Sequence, residues 1–305
     1  MKPQIILLSK QNDISIQKIS KLLNQYKISN SVNYCLYDMF KYLENKKLNK
    51  KYNLYCRNQI INRYNFSENQ YIAKIQLNEK FVIEEYILHS LTHNKLFKTI
   101  NIAPISSLNK LLNIDIARKV GLNTKDTKII SSKSDFEKLP ILEYVTKPLD
   151  IGVVKFCSTN YYISYTSLIG KKLSANFFPS LVQERIDKEF EVRMLIFGEK
   201  VYSIGILSQN DEQTSIDVRN YNKVKPNYTF QIMMPDEVVD KCNKMLSILN
   251  LFSGSFDFVK GKDGNYYFLE VNPHGEFDVM DYYYNDKFYE KITQELLIKM
   301  EYYER

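Results

Sequence analysis

The sequence predicts a mixed α/β protein made of α+β lobes: an N-terminal α/β lobe over residues 1–105, a small central lobe over 106–182 and an antiparallel-sheet lobe over 183–305. Three observations predict it. The chain has 305 residues, enough for two or three lobes with a sizeable core. It opens with an apolar strand-like run followed by an amphipathic helix, and residues 183–305 carry two hairpin signals.

In chain order, Ile5 to Leu8 reads as a buried strand, and Ile16, Ile19, Leu22, Leu23 and Tyr26 then recur at helical spacing behind Asp13, a suitable N-cap. Helical patterns follow around Tyr34 to Leu43 and Phe81 to Phe97. Pro104 and the polar pair Ser106-Ser107 mark a boundary near residue 105, before a helix over Leu108 to Val120 that Gly121 ends as its C′ residue. Lys128 to Ile130 and Ile141 to Thr146 look like strands with a Ser134-capped turn of helix between them, and Leu181 to Gln183 begins the strand-rich lobe. There, Glu189 to Phe197 and Lys200 to Leu207 are joined at Gly198-Glu199, where a leading glycine suits a II′ turn. A helix over Asp236 to Leu249, a second hairpin and a tyrosine-rich helical tail complete the chain.

Composition removes several functional classes. Hydrophobic residues make up 44% and charged residues 25%, which argues against a disordered or fibrous chain. None of the nine glycines forms a dinucleotide fingerprint, a Walker-type P-loop or a nucleophile elbow, so a bound nucleotide must be held by other means. The longest apolar runs are far below the ~18 residues of a membrane span and too short for a signal-peptide core, which leads us to expect a cytoplasmic protein without a membrane partner. Cys35, Cys56, Cys157 and Cys242 are scattered without a CxxC pair and read as reduced structural thiols. The net charge of +7 has its densest stretch at Lys46, Lys47, Lys50 and Lys51; no stacking motif accompanies it, so we expect no nucleic-acid partner, although the charge can attract an acidic substrate.

The second hairpin carries the chemistry. Ser255 to Val259 and Tyr266 to Val271 flank Gly261-Lys262-Asp263-Gly264, and a two-residue Lys262-Asp263 loop would pair Asp257 with Phe268 and Ser255 with Glu270. Alternation then puts Phe256, Phe258, Tyr267, Leu269 and Val271 on an apolar face and Ser255, Asp257, Glu270 and Asn272 on an oxygen-rich one. Asp257 and Glu270, diagonal to each other, could hold a hard cation such as Mg²⁺ against phosphate. Spacing alone, without wider context, favours an ordinary surface hairpin with its acids outward.

The run Phe268-Leu269-Glu270-Val271-Asn272-Pro273, a dozen or so residues after a strand aspartate, resembles the metal-binding signature of the ATP-grasp ligases. The resemblance implies an ATP-grasp fold with a pre-ATP-grasp N-terminal lobe, ATP and Mg²⁺ as cofactors, and Asp257, Glu270 and Asn272 as metal ligands. Val145-Thr146-Lys147-Pro148 with Gly152 resembles the phosphate-contacting lysine and its covering loop. Leu181-Val182-Gln183-Glu184-Arg185-Ile186 resembles the hinge that reads adenine, which makes Gln183, Glu184 and Ile186 nucleotide contacts and puts Glu189 in the place of the ribose-binding acid. Lys110 resembles the lysine that opens the family's central lobe.

Glu189-Phe190-Glu191-Val192-Arg193, Asp217-Val218-Arg219 and Asn272-Pro273-His274-Gly275-Glu276-Phe277 are similar to segments of the graspetide branch, the microviridin-type or grasp-with-spasm peptide maturases. Two positions depart from that pattern: Val218 replaces a tryptophan and Glu276 a glutamine. The implied reaction is ATP-dependent phosphorylation of Asp or Glu side chains in a ribosomally made precursor peptide, leader plus core, followed by macrocyclic ester or amide formation with Thr, Ser or Lys. Arg193 and Arg219 are the expected catalytic groups, because a guanidinium offers phosphate a bidentate fork. The alternatives are an ATP-grasp carboxylate-amine ligase acting on an amino acid or small molecule, and a non-catalytic nucleotide- or nucleic-acid-binding protein. The quaternary state is open between monomer and homodimer. His89 and His93, four residues apart, lack a third ligand and read as surface histidines.

Overall fold

Ile5 to Leu8 are fully buried, as an unbroken apolar run requires when both faces of its strand are covered. The computed structural model describes residues 3–44, 50–57, 67, 69–103, 109–149, 153–155, 161–170, 172–275, 277–284 and 287–302. Gly152, Glu276, Cys157, Pro104, the Ser106-Ser107 pair, Lys46 and Lys47 lie outside the described residues.

The strands β1 (Gln4–Leu8), β2 (Asn30–Asn33), β3 (Tyr52–Cys56) and β4 (Phe97–Ile100) form a parallel sheet in the order β2-β1-β3-β4. Helix α1 (Ile14–Gln25) starts where the Asp13 carboxylate accepts the Ile16 N–H, the cap expected from sequence. The Tyr34 to Leu43 pattern becomes a 3₁₀ turn followed by the short α2 (Phe40–Glu44). The long α3 (Gln70–His93) stops short of Phe97: the Asn94 side chain accepts the Leu96 N–H at 2.9 Å, and this Asx turn breaks the helical run and releases Phe97 into β4.

Asn109 caps α4 (Lys110–Lys119), and Gly121, at φ +83°, supplies the left-handed residue that ends it. There follow β5 (Thr127–Ser132), α5 (Lys133–Phe136), β6 (Tyr144–Thr146), β7 (Val153–Lys155), β8 (Tyr161–Ile163), β9 (Ser167–Leu168) and β10 (Asn176–Glu184). The order of the central sheet is β5-β10-β6-β9, and β7 pairs with β8 alone. Ser132, two residues before the expected Ser134, caps α5 because it is the last extended residue and its Oγ accepts the Asp135 N–H at 3.1 Å. Leu181 to Gln183 belongs to β10, which pairs with β5 and β6; the next sheet begins beyond it.

That sheet contains β11 (Lys188–Phe197), β12 (Lys200–Ile206), β13 (Thr229–Gln231), β14 (Ser253–Gly261) and β15 (Tyr266–Asn272) in the antiparallel order β13-β12-β11-β14-β15. Gly198, at φ +59°, turns β11 into β12. One sheet face packs Val192, Met194, Phe256, Phe258 and Phe268 against α6 (Asp236–Ile248) and the end of α4. The other face is divided. Leu195, Phe197, Tyr202 and Ile204 join β1, α1 and the C-terminal helices α7 (Asp278–Tyr284) and α8 (Phe288–Lys299) in one core, while Glu191 and Arg193 on the same strand face a cleft. Among the described residues no helix is long and apolar enough to cross a membrane.

Candidate active site

The cleft lies between the central sheet and the uncovered half of the C-terminal sheet. Lys110, Val145, Lys147, Gln183 to Ile186, Lys188, Glu191, Arg193, Ser215 to Arg219, Asp257, Leu269 and Glu270 line it.

Its acidic wall is the β14–β15 hairpin, whose register differs from the expected one. The loop is Lys262-Asp263-Gly264, three residues rather than two: Gly264 takes φ +85° and donates its N–H to the Gly261 carbonyl at 3.0 Å. A β-bulge then leaves Leu269 unpaired between Phe258↔Phe268 and Asp257↔Glu270. Asp257 and Glu270 therefore stand directly opposite each other, not diagonally, and Ser255 opposes Asn272. The same bulge exchanges faces. Phe268 is buried in the core, whereas Leu269 lines the cleft and Tyr267 pairs with cleft-lining Val259, so neither lies on the apolar face that simple alternation gave it.

The two carboxylates are not left to repel each other. Arg193 opposes Asp257 across β11–β14 and grips it with two hydrogen bonds, Nε to Oδ1 at 2.9 Å and Nη2 to Oδ2 at 3.1 Å. Lys110, in the first turn of α4, lies 3.4 Å from Glu270 and donates to the Pro148 carbonyl at 3.0 Å. Lys188 pairs with Glu191, which also accepts the Ser208 hydroxyl at 2.7 Å. Among the described residues Lys147 alone of the cleft lysines has no carboxylate partner. Burial pushes its ammonium down to about 8; Glu270 opposes that shift, and the charges of Lys110 and Arg219 add to it.

Arg219 folds back on Asp217, with Nε–Oδ1 at 2.9 Å and Nη2–Oδ2 at 2.6 Å. Burial works against the Asp217 charge, yet Arg219 and the Thr166 N–H, at 2.7 Å, hold its carboxyl below the usual range. The Thr166 bond ties the 207–228 connection to the central lobe. At the hinge, the Gln183 amide donates to Thr127 Oγ1 at 2.8 Å, and Lys125 pairs with Glu184 at 2.7 Å, a bond that raises the Lys125 pKa. These contacts fix the backbone of residues 183–186 along the rim.

The structure thus brings Lys110, Lys147, Gln183, Glu184, Ile186, Arg193, Arg219, Asp257 and Glu270 into one cleft. Asn272 sits one step beyond Glu270 on the same face, outside the cleft lining, where its Oδ1 accepts the His274 N–H at 2.9 Å. Glu189 is exposed and does not line the cleft: a register shift between Lys188 and Phe190 turns it outward and leaves Lys188 and Glu191 inside. Sequence reasoning gave Lys188 no role, and strict alternation could not have found it. Val218 lines the cleft, and the rings of His89 and His93 stack at 4.1 Å on the exposed face of α3.

The donor set suits a hard cation only in company. Two opposed carboxylates and a nearby amide offer oxygen alone, and among the described residues no three His, Cys, Asp or Glu side chains gather around one point. Mg²⁺ is commonly held by one or two carboxylates with phosphate oxygens and water completing its octahedron. The carboxylate pair in the same cleft as Lys147 fits that arrangement.

No family model and no curated protein matches the sequence. Solved structures do. A RiPP-associated ATP-grasp ligase of Chryseobacterium gregarium, in complex with ADP and a leader and core peptide, superposes with a TM-score of 0.77 at 16% identity, covering 100% of this chain and 98% of that one. Macrocyclase MdnC of Microcystis aeruginosa MRC, bound with precursor peptide MdnA, gives 0.74 at 18% identity over 98% and 100%. D-cycloserine synthetase DcsG gives 0.55 at 14% identity over 97% and 99%. The chain has the ATP-grasp fold along its whole length.

Proposed function

We propose that this protein is an ADP-forming ligase that phosphorylates Asp or Glu side chains of a ribosomally made precursor peptide and closes macrocyclic ester or amide bonds with Thr, Ser or Lys of the same peptide. The observation that carries the reading is Lys147, a largely desolvated ammonium that no carboxylate contacts, in the same cleft as the opposed Asp257 and Glu270. A triphosphate supplies the negative charge this corner lacks, and no glycine loop is needed to hold it. The hinge at Gln183 to Ile186, where the chain leaves β10 and its two neighbouring strands, lines the cleft for the adenine, and Glu191 or Lys188, rather than Glu189, is within the cleft for the ribose.

Asp257, Glu270 and Asn272 would hold Mg²⁺, which when bound neutralises phosphate charge during transfer. Lys147 and Lys110 orient the phosphates. Arg193 and Arg219, each anchored by an aspartate, line the cleft with guanidinium charge that would meet the transferred phosphoryl and the acyl phosphate. Carboxylate is a poor electrophile because oxide would have to leave. Attack of its oxygen on the γ-phosphorus expels ADP and installs phosphate as leaving group; a hydroxyl or amine then attacks the acyl carbon, loses its proton and expels phosphate. Each bond removes one water from the peptide.

The peptide substrate is supported by the two peptide-bound neighbours, which match this chain more closely than the D-cycloserine synthetase does. Ribosomally made peptide and ATP meet in the cytoplasm, where we place the reaction. The test is the intact mass of a short peptide encoded beside the gene after incubation with enzyme, ATP and Mg²⁺. Loss of one water per bond with ADP release is the expected result. An unchanged peptide, with ADP formed only on free amino acids, would move the substrate to the small-carboxylate class that the shared fold also serves.

A further inference from the structure

Beyond Asn272 the chain turns through Pro273–Gly275 into the N-terminal lobe, and two buried side chains of that lobe receive it. Arg57, the residue after β3, is 8% exposed and donates through Nη1 to the carbonyls of both His274 and Gly275. Its guanidinium lies 4.2 Å from the centre of the Phe277 ring, and its Nε is 3.3 Å from Asp13, the buried cap of α1. Arg57 is itself fixed by its backbone N–H, which donates to the Leu8 carbonyl at 2.9 Å. Asn101, held at φ +61° just after β4, donates from Nδ2 to the Pro273 carbonyl at 2.9 Å. Its Oδ1 accepts the N–H groups of Phe252 at 3.2 Å and Ser253 at 3.0 Å, so it ties the start of β14 to the end of β15.

A buried guanidinium costs several kcal/mol unless it is paired and fully hydrogen-bonded, so apolar residues would serve simple lobe adhesion at least as well. What Arg57 adds is direction: one planar fork faces Asp13 with Nε while Nη1 holds two successive carbonyls of the turn. The turn has no slack against the sheet, since a Cβ at Gly275 would lie 2.8 Å from Ser255 Oγ. Ser255 opposes Asn272 and lies two residues from Asp257. The fork therefore sets the end of β15 against β14, the spacing on which the Asp257–Glu270 pair depends.

We infer that Arg57, with Asn101, is a positioning residue of the divalent-cation site: the N-terminal lobe holds the 273–275 turn so that Glu270 and Asn272 meet the cation opposite Asp257. The inference rests on the assignment of those three residues as cation ligands. It assigns the N-terminal lobe a role in metal affinity although that lobe supplies no ligand.

The test measures Mn²⁺ binding in the presence of a non-hydrolysable ATP analogue by electron paramagnetic resonance, alongside the Mg²⁺ dependence of ADP formation. Arg57→Lys keeps a charge for Asp13 but loses the fork, and Asn101→Asp keeps the acceptor for β14 while losing the donor to Pro273. Each is expected to weaken Mn²⁺ binding about tenfold, the lower end for groups that orient metal ligands, with the rate of ADP formation restored at high Mg²⁺. Leu23→Ala, a core truncation in α1 away from the turn, controls for lost stability and should leave the Mn²⁺ affinity unchanged. Should Arg57→Lys fail to fold, Asn101→Asp carries the same test. Folded variants whose Mn²⁺ affinity stays within about twofold of the parent overturn the inference. Glu270→Gln and Asp257→Asn separate the two levels: if these also leave Mn²⁺ affinity unchanged, the ligand assignment itself has failed and the positioning role falls with it.

Discussion

Strand β11 presents Glu191, Arg193, Leu195 and Phe197 on one face, yet the four live in two environments. Leu195 and Phe197 are fully buried against the N-terminal lobe and its helical cover, while Glu191 and Arg193 look into the cleft. The neighbouring strand divides at the same level: Ser253 and Ser255 are covered, and Asp257 is open. The ionic site is thus the part of a sheet face that the N-terminal lobe leaves bare, and residues 273–275, gripped by Arg57 and Asn101, run along the border. Covering sets the alphabet: where apolar neighbours exclude water an unpaired charge is prohibitive, and where the sheet stays open ion pairs can wait for a ligand.

The sharpest way to break this division is to remove charge from its open half. Glu270→Gln or Asp257→Asn should lower ADP formation by about 10²–10³-fold, as several kcal/mol of lost metal-dependent charge stabilisation implies, with the circular dichroism spectrum retained. Substantial turnover in both variants would remove the cation from this corner. The opposite manipulation probes the covered half. Leu296→Ala, in the α8 cover of that half, should destabilise the protein by about 2–5 kcal/mol in urea unfolding, while ATP affinity per folded molecule stays unchanged. A matched loss of nucleotide affinity would mean that the two halves act as one unit.

Much of this division was legible beforehand, for a local reason. Asp13, Gly121, Gly198 and the alternating runs of β11 and β14 act through neighbours in sequence, so cap, stop, turn and strand follow from short-range sterics. The cation-rich cleft was legible because the ATP-grasp resemblance tied Lys110, Lys147, Arg193, Arg219, Asp257 and Glu270 together in advance. What escaped was of two kinds. Bulges at 257/258 and 188/190 shift alternation by one residue and leave no composition mark; the first put Tyr267 and Leu269 on the wrong face, and the second carries Glu189, placed by resemblance alone, outside the cleft lining. Arg57 and Asn101 reach across more than 150 positions, and nothing near them in sequence announces their partners.

Lys147 sharpens the comparison by pH. Its ammonium loses its proton near pH 8 in the free protein because burial disfavours the charge, whereas a bound phosphate favours the charged form. Below pH 8 nucleotide meets a preformed cation; above it, binding must take up a proton, so affinity falls as pH rises, by up to about tenfold per unit. Calorimetry in buffers of different ionisation enthalpy should detect the uptake at pH 8.5 to 9, a window taken at ~8 and just above. Lys147→Met should weaken ATP binding about 10- to 100-fold at pH 7, in keeping with a lost charge-assisted bond, and abolish the proton uptake. Uptake that persists in the variant would assign the titration to another group.

The smallest expected effect lies at residue 189, and it separates the bulged from the unbulged reading of β11. In an unbroken strand Glu189 would follow Glu191 and Arg193 along the cleft side. With the register shift it is exposed, and Glu191 occupies the interior between Lys188 and Ser208. Glu189→Gln should therefore change the ATP dissociation constant by less than about twofold, as an exposed surface substitution does. Glu191→Gln should weaken it about tenfold, since it removes a charged acceptor from the cleft and frees Lys188. The reverse ranking would mean that β11 runs without its bulge when nucleotide is bound, and that the border between covered and open sheet shifts by one residue at this end.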